Sequence, residues 1–222
     1  MLEQKEAVIF DLDGTLVDSM WVWVTVDAEY IENFHLTVPD DFYEKIEGKS
    51  FTETAEYYLD IFPEIHKTLE ELKAEWYEMA LHKYTHEVCL KEGVREFLAE
   101  LRNRNIKTAI ATSNDRKLAE ATLEALKIQD LIDVVCTSCE VNKGKPSPDV
   151  YLAAAGKLKI KPEYCLVFED VPNGILAGKN AGMTVCAVDD TFSRPQEKKK
   201  RELADYYIYS YYDIANQTFE VL

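Results

Sequence analysis

Two short acidic clusters, each at the end of an apolar run, carry the most evident chemistry in the chain. Ala7-Val8-Ile9-Phe10 leads into Asp11-Leu12-Asp13-Gly14-Thr15, and Cys165-Leu166-Val167-Phe168 leads into Glu169-Asp170-Val171-Pro172. Carboxylates this close repel one another unless a cation joins them, and ligands that are all oxygen select a hard ion such as Mg2+ over zinc or copper. Between the clusters come Thr112-Ser113-Asn114 and, later, Lys145 in Gly144-Lys145-Pro146. A hydroxyl with backbone N–H groups ahead of a helix forms an anion site, and a lysine adds positive charge. Each motif alone also has a plainer reading. Asp11-x-Asp13-Gly is equally a turn after a strand, Glu169-Asp170 a solvated loop or helix cap, Thr112 or Asn114 a cap, and Lys145 a surface lysine.

The elements that must position these residues follow from hydrophobic patterning. Runs at Ala7–Phe10, Thr108–Ala111, Val134–Cys136, Leu166–Phe168 and Val185–Val188 read as strands buried on both faces. Amphipathic stretches at Val94–Arg104, Lys117–Lys127, Val150–Leu158 and Gly174–Asn180 lie between them. The alternation predicts an α/β fold, a doubly wound parallel sheet with ligand chemistry at the carboxyl ends of its strands. One interval breaks the rhythm: Asp18 to Glu87 holds only helical patterns, punctuated at Pro39, Gly48 and Pro63. It reads as an all-helical cap over residues 18–87, inserted into a core made of residues 1–17 and 88–222. Its many aromatics, among them Trp21, Trp23, Tyr30, Tyr58, Trp76 and Tyr84, are expected to be mostly cap interior.

Composition narrows the function. The 222 residues and 47% hydrophobic content suffice for a packed core, and 41 acidic against 25 basic residues give a net charge of −16. That charge opposes non-specific binding to nucleic acid or an anionic membrane. The N-terminus lacks the pattern of a signal peptide and no apolar run approaches the roughly 20 residues of a membrane span, so the expectation is a cytoplasmic protein. Five scattered cysteines read as reduced thiols, the Cys136-x-x-Cys139 pair included. Lys198-Lys199-Lys200-Arg201 reads as a solvated helix face, and Tyr206 to Tyr212 as a tyrosine-rich edge strand leading into a terminal turn.

Taken in order, Asp11-x-Asp13-Gly-Thr15, Thr112-Ser113-Asn114, Lys145 and Glu169-Asp170 resemble the four motifs of the haloacid dehalogenase superfamily of phosphohydrolases. The resemblance spans nearly the whole chain, and the insertion after the first motif resembles the helical cap of the subfamily that contains β-phosphoglucomutase and many small-molecule phosphatases. It implies a Rossmann-like core and Mg2+-dependent hydrolysis of a small phosphate monoester, such as a sugar phosphate, through an aspartyl phosphate. Asp11 is then the nucleophile and Asp13 the general acid and base. Mg2+ is implied to bind Asp11, the Asp13 carbonyl, Asp170 and, in or beside its first shell, Glu169. Thr112, Lys145 and the amides near Leu12, Asp13 and Ser113 hold the phosphoryl oxygens, with Asn114 and Asn173 as supporting contacts.

Within that resemblance, β-phosphoglucomutases carry a cap arginine a few residues after a glycine; here Gly48-Lys49-Ser50-Phe51 puts Phe51 at that place. Trp23 likewise replaces a cap histidine. These departures favour a phosphatase over a phosphomutase, with Lys49 as a partial substitute for the missing charge and a candidate phosphate contact. Asp13 and Glu169-Asp170 argue against a dehalogenase. A non-catalytic phosphate-binding or interaction protein, the alternative from another class, would normally have lost one of the four motifs. The expected partner is a small phosphorylated metabolite, the expected assembly a monomer or weak homo-oligomer.

Overall fold

A computed structural model describes residues 1–222. Its main sheet has seven strands: β1 (Ala7–Phe10), β4 (Lys107–Thr112), β5 (Val134–Thr137), β6 (Cys165–Glu169), β7 (Thr184–Val188), β8 (Tyr206–Ile208) and β9 (Glu220–Val221), in the order β5-β4-β1-β6-β7-β8-β9. All neighbours are parallel except β8 and β9. The expected doubly wound sheet is therefore present, and the direction of winding reverses beside β1, the crevice where such sheets bind ligands.

Period-two alternation divides the core. Val8 and Phe10 of β1 face one layer with α5 (Val94–Asn103) and α6 (Arg116–Ala125), whereas Ala7 and Ile9 face α7 (Asp149–Leu158) and α8 (Pro172–Asn180). Every β1 residue is fully buried, which explains a run with no polar position. Phe10, Phe97, Phe168 and Tyr211 pack together beneath the carboxyl ends of β1 and β6, with the Phe10 and Phe168 rings stacked 5.4 Å apart. The strand ends thus rest on a dense aromatic floor.

The interval between β1 and β4 contains α1 (Met20–Phe34), α2 (Phe42–Ile46), α3 (Phe51–Ile61) and α4 (Leu69–His86). The chain enters and leaves these helices through a two-stranded antiparallel ribbon, β2 (Val17–Asp18) against β3 (Cys89–Leu90), too short to be seen as apolar runs. Ser50 with Glu53 and Thr68 with Glu71 form capping boxes that start α3 and α4. Tyr30, Phe42, Tyr58, Phe62 and Trp76 fill the interior of the insertion, with Tyr58 4.7 Å from Trp76 between ring centres. No helix is long and apolar enough to cross a membrane.

Two expectations are corrected. Lys200 of α9 (Glu197–Leu203) is not on a solvated face: it is fully buried and its Nζ donates to Val188 O and Ser193 Oγ, both at 2.9 Å. The helix is tethered by this lysine to the loop after β7. Likewise β8 is not the sheet edge, because β9 pairs with it; Tyr207 and Tyr211 are buried while Tyr209 and Tyr212 are exposed. The turn that follows, α10 (Tyr212–Asn216), brings β9 back. The cysteines are all free, with Cys136, Cys165 and Cys186 buried and Cys89 and Cys139 exposed.

Candidate active site

Parallel register places the acidic clusters side by side. Phe10 is level with Phe168, the Asp11 N–H donates to Phe168 O at 3.0 Å, and the next residues are Asp11 on one strand and Glu169 on the other. Oxygens of Asp11, Glu169 and Asp170 all lie within 4.8 Å of one another, and all three residues are buried. Lys145 reaches into this cluster from the loop before α7, donating to Asp11 Oδ1 and to Glu169 Oε1, each at 2.6 Å. Tyr151 of α7 adds an O–H bond of 2.8 Å to Glu169 Oε1 and lays its ring 5.1 Å from the Lys145 ammonium.

One ammonium cannot offset three buried carboxylates. Burial pushes the Asp11 carboxyl up to about 8, with Lys145 opposing and Glu169 and Asp13 adding to the rise. Asp170 is raised well above the usual carboxylate range by burial and then by the charges of Glu169 and Asp11. Burial also works against the charge on Lys145, yet Asp11 and Glu169 hold its affinity for a proton above the ordinary value. Asp170 Oδ1 accepts from Thr15 Oγ1 at 3.0 Å, but Asp170 Oδ2 is buried with no hydrogen-bond partner. A buried carboxylate oxygen of this kind, beside two more carboxylates, fits a hard cation as its missing partner.

Backbone shape keeps that space open. Gly14 has φ +76°, and a Cβ there would collide with the Asp170 carboxylate; a Cβ on Gly174 would overlap the Glu169 carboxylate. The latter is possible because Glu169 turns back over the start of α8 and accepts from Asp170 N at 3.0 Å and Val171 N at 3.3 Å.

Asp13 stands apart from the triad and is half-buried. Its Oδ1 accepts from Ser19 Oγ at 2.6 Å and from the Tyr84 hydroxyl, and its Oδ2 from Asn114 Nδ2 at 3.0 Å. Desolvation raises its affinity for a proton, and these three donors oppose the rise. Thr112 is buried at the end of β4, its Oγ1 accepting from Asn114 N at 3.0 Å. Leu12 buries its side chain, and the N–H groups of Leu12, Asp13 and Ser113 donate to no protein acceptor. They are free donors at the ends of β1 and β4.

The chain therefore brings Asp11, Asp13, Thr112, Ser113, Asn114, Lys145, Glu169 and Asp170 to one cleft of about 680 Å³ between the sheet and the insertion. Lys49 also lines it, half-buried, without bonding to the acidic triad. Asn173 donates instead to Glu47 O at 3.0 Å, joining α8 to the insertion. The same loop is held by Phe51 N donating to Ser113 O at 2.8 Å and by Gln196 Nε2 donating to Glu47 Oε2 at 2.7 Å. Ser19, Tyr84 and Tyr151 were not foreseen as site residues. Ser19 follows Asp13 by six positions with no motif of its own, and Tyr84 is one tyrosine among many in an aromatic-rich helix.

Residues 8–188 fit the family model described as haloacid dehalogenase-like hydrolase. The chain belongs to that family. A phosphorylated carbohydrates phosphatase of Thermotoga maritima is 32% identical over 178 residues, covering 80% of this chain and 82% of that protein. A β-phosphoglucomutase of Bacillus subtilis is 33% identical over 190 residues, covering 82% and 83%. Among solved structures, CbbY from Rhodobacter sphaeroides in complex with phosphate superposes with a TM-score of 0.78 at 24% identity, over 93% of this chain and 95% of that one. In this family the chain is a hydrolase whose named relatives act on phosphate esters.

Proposed function

We propose that this member of the family is a Mg2+-dependent phosphatase that hydrolyses a small phosphate monoester, such as a sugar phosphate, through an aspartyl phosphate on Asp11. The observation that carries the reading is the convergence of Asp11, Lys145, Glu169 and the unpartnered oxygen of Asp170 at the end of β1 and β6, with Asp13 held separately beside them. Mg2+ held by Asp11, the Asp13 carbonyl, Asp170 and Glu169 would neutralise the phosphoryl group. Lys145 occupies Asp11 Oδ1 and leaves Oδ2 to attack phosphorus. As that P–O bond forms, the bond to the substrate's alkoxide breaks, and Asp13 delivers its proton to the leaving oxygen. Asp13, now a carboxylate steadied by Ser19, Tyr84 and Asn114, then takes a proton from the water that attacks the phosphoryl group, releasing phosphate and free Asp11. Thr112, Lys145 and the free N–H groups of Leu12, Asp13 and Ser113 would hold the phosphoryl oxygens.

Residues 18–87 act in this reading as a cap that closes over the substrate and excludes water. The phosphomutase alternative draws support from the Bacillus subtilis relative. Against it, the only cationic side chains in the cleft are Lys49 and Lys145, and no arginine is present to grip a second phosphate. A small phosphorylated metabolite is the partner, and the protein works in the cytoplasm as a monomer or weak homo-oligomer.

The test is phosphate release from a panel of phosphate esters with Mg2+, with excess EDTA, and with Asp11→Asn. Release that requires both the metal and Asp11 is expected, the variant losing at least about 10^4-fold in kcat. Full activity in EDTA would overturn the metal role. Silence across the panel with turnover in a bisphosphate-primed isomerisation would establish the mutase, and silence in both assays the non-catalytic alternative.

A further inference from the structure

The wall that faces the catalytic cluster is built by the insertion, and it carries one group that the phosphoryl chemistry does not use. Trp23 of α1, Phe51 of α3 and Trp76 of α4 form its apolar surface, with Trp23 and Phe51 5.8 Å and Phe51 and Trp76 5.9 Å apart between ring centres. Asp27, one helical turn beyond Trp23, lines the same cleft. Its Oδ1 accepts the hydroxyl hydrogen of Tyr58, a fully buried residue of α3 that fixes the orientation of the carboxylate. Oδ2 has no hydrogen bond within the protein and is not sealed from the cleft.

An oriented carboxylate with a spare oxygen, set in an aromatic wall, is a receptor for hydrogen-bond donors. It is also a barrier to anions, because a second negative charge placed against it meets like charge. The other charged groups that the insertion brings to the cleft are Glu47 and Lys49. Glu47 is held by Gln196, so one ammonium faces two carboxylates. Aromatic rings beside a carboxylate suit the C–H and O–H pattern of a sugar or polyol, and a cleft of about 680 Å³ suits a ligand of that size.

We propose that Asp27 sets substrate specificity: the phosphatase takes monophosphates whose far end is a neutral polyol or a protonated amine, and rejects those bearing a second phosphate or a carboxylate there. This rests on the phosphatase reading and narrows its substrate class. Asp27 acts as the acceptor for the substrate's hydroxyl or ammonium hydrogens, and Tyr58 is its positioning residue.

The experiment has a kinetic arm and a binding arm. In the first, kcat/KM is measured for sorbitol 6-phosphate, glucosamine 6-phosphate, 6-phosphogluconate and fructose 1,6-bisphosphate with wild type and Asp27→Asn. Wild type is expected to favour the first two over the last two by at least about tenfold, and Asp27→Asn to narrow that ratio about tenfold, mainly through KM. In the second, the same ligands are titrated against Asp11→Asn with and without Asp27→Asn, following tryptophan fluorescence, since Trp23 and Trp76 line the cleft. This arm needs no turnover, so it tests the specificity even where the phosphatase reading fails. The same order of affinities, narrowed by Asp27→Asn, supports the proposal. Wild type that handles the anionic pair as well as the neutral and cationic pair overturns it, as does a folded Asp27→Asn protein with unchanged selectivity. Should Asp27→Asn not fold, the wild-type ratios alone decide.

Discussion

The two walls of the cleft are made of different materials. At the sheet end, three buried carboxylates press against one buried ammonium, and each group is tied to a strand end or to the loop before α7. Across from them, the insertion presents rings and, beside them, a carboxylate oriented by Tyr58, carried on helices that have their own aromatic interior. The sheet end stores electrostatic frustration that a cation and a phosphoryl group would relieve. The helical wall stores shape, and its polar groups are few enough for one residue to matter.

That contrast can be broken at several points. The largest effect after that of Asp11→Asn is expected from Asp13→Asn, which keeps the shape but cannot cycle a proton; kcat should fall about 10²- to 10⁴-fold, with phosphoenzyme accumulating in rapid-quench assays of an aryl phosphate, whose leaving group needs no proton. A fall below tenfold would mean that another group carries the proton. Lys145→Met leaves Asp11 and Glu169 buried without their ammonium and should cost about 3–5 kcal/mol in urea unfolding in the presence of EDTA. A loss below about 1 kcal/mol would show that the carboxylates are not frustrated there.

On the helical wall the expected effects are smaller and depend on pH. Burial raises Asp27 to about 6, with the Tyr58 hydroxyl opposing, and Tyr43 and Tyr58 are the titratable side chains that face it. A carboxyl raised above its unfolded value of about 3.9 stabilises the fold fully below that value, and the contribution is lost as pH rises through about 6. Asp27→Asn should therefore gain about 1 kcal/mol relative to wild type between pH 4 and pH 8, since solvent access discounts the full shift. Urea unfolding of both proteins at the two pH values checks this, and parallel profiles would contradict it. The smallest effect belongs to the start of α3, where Ser50→Ala removes half of the capping box and should cost about 1 kcal/mol in thermal unfolding with kcat nearly unchanged.

The same contrast explains what could be read in advance. The core strands centre on short apolar runs, unbroken in β1, because both of their faces are covered, and chemistry at their carboxyl ends follows from parallel winding. Asp11, Asp13, Glu169 and Asp170 stood out for that reason. Tyr84 did not: it is 71 positions from Asp13, and nothing in its helix marks it apart from the tyrosines of the insertion's interior. Asp27 was equally silent, since an aspartate on an amphipathic helix reads as a solvated residue until the cleft is seen. Lys200 misled in the opposite direction, because a run of four basic residues has the pattern of an exposed face, while the buried carbonyl of Val188 that receives its ammonium lies on another element. Register between strands carried the sheet end; contacts between helices, which have no such register, decided the rest.

Covalent transfer to Asp11 leaves a trappable phosphoenzyme, and rapid acid quenching during turnover of a phosphate ester, followed by peptide mass mapping, detects it. A phosphoryl group is expected on the peptide containing Asp11, absent in Asp11→Asn and, with an aryl phosphate as substrate, enriched in Asp13→Asn. Turnover with no phosphorylated peptide in either wild type or Asp13→Asn, or with the label on another residue, would contradict it.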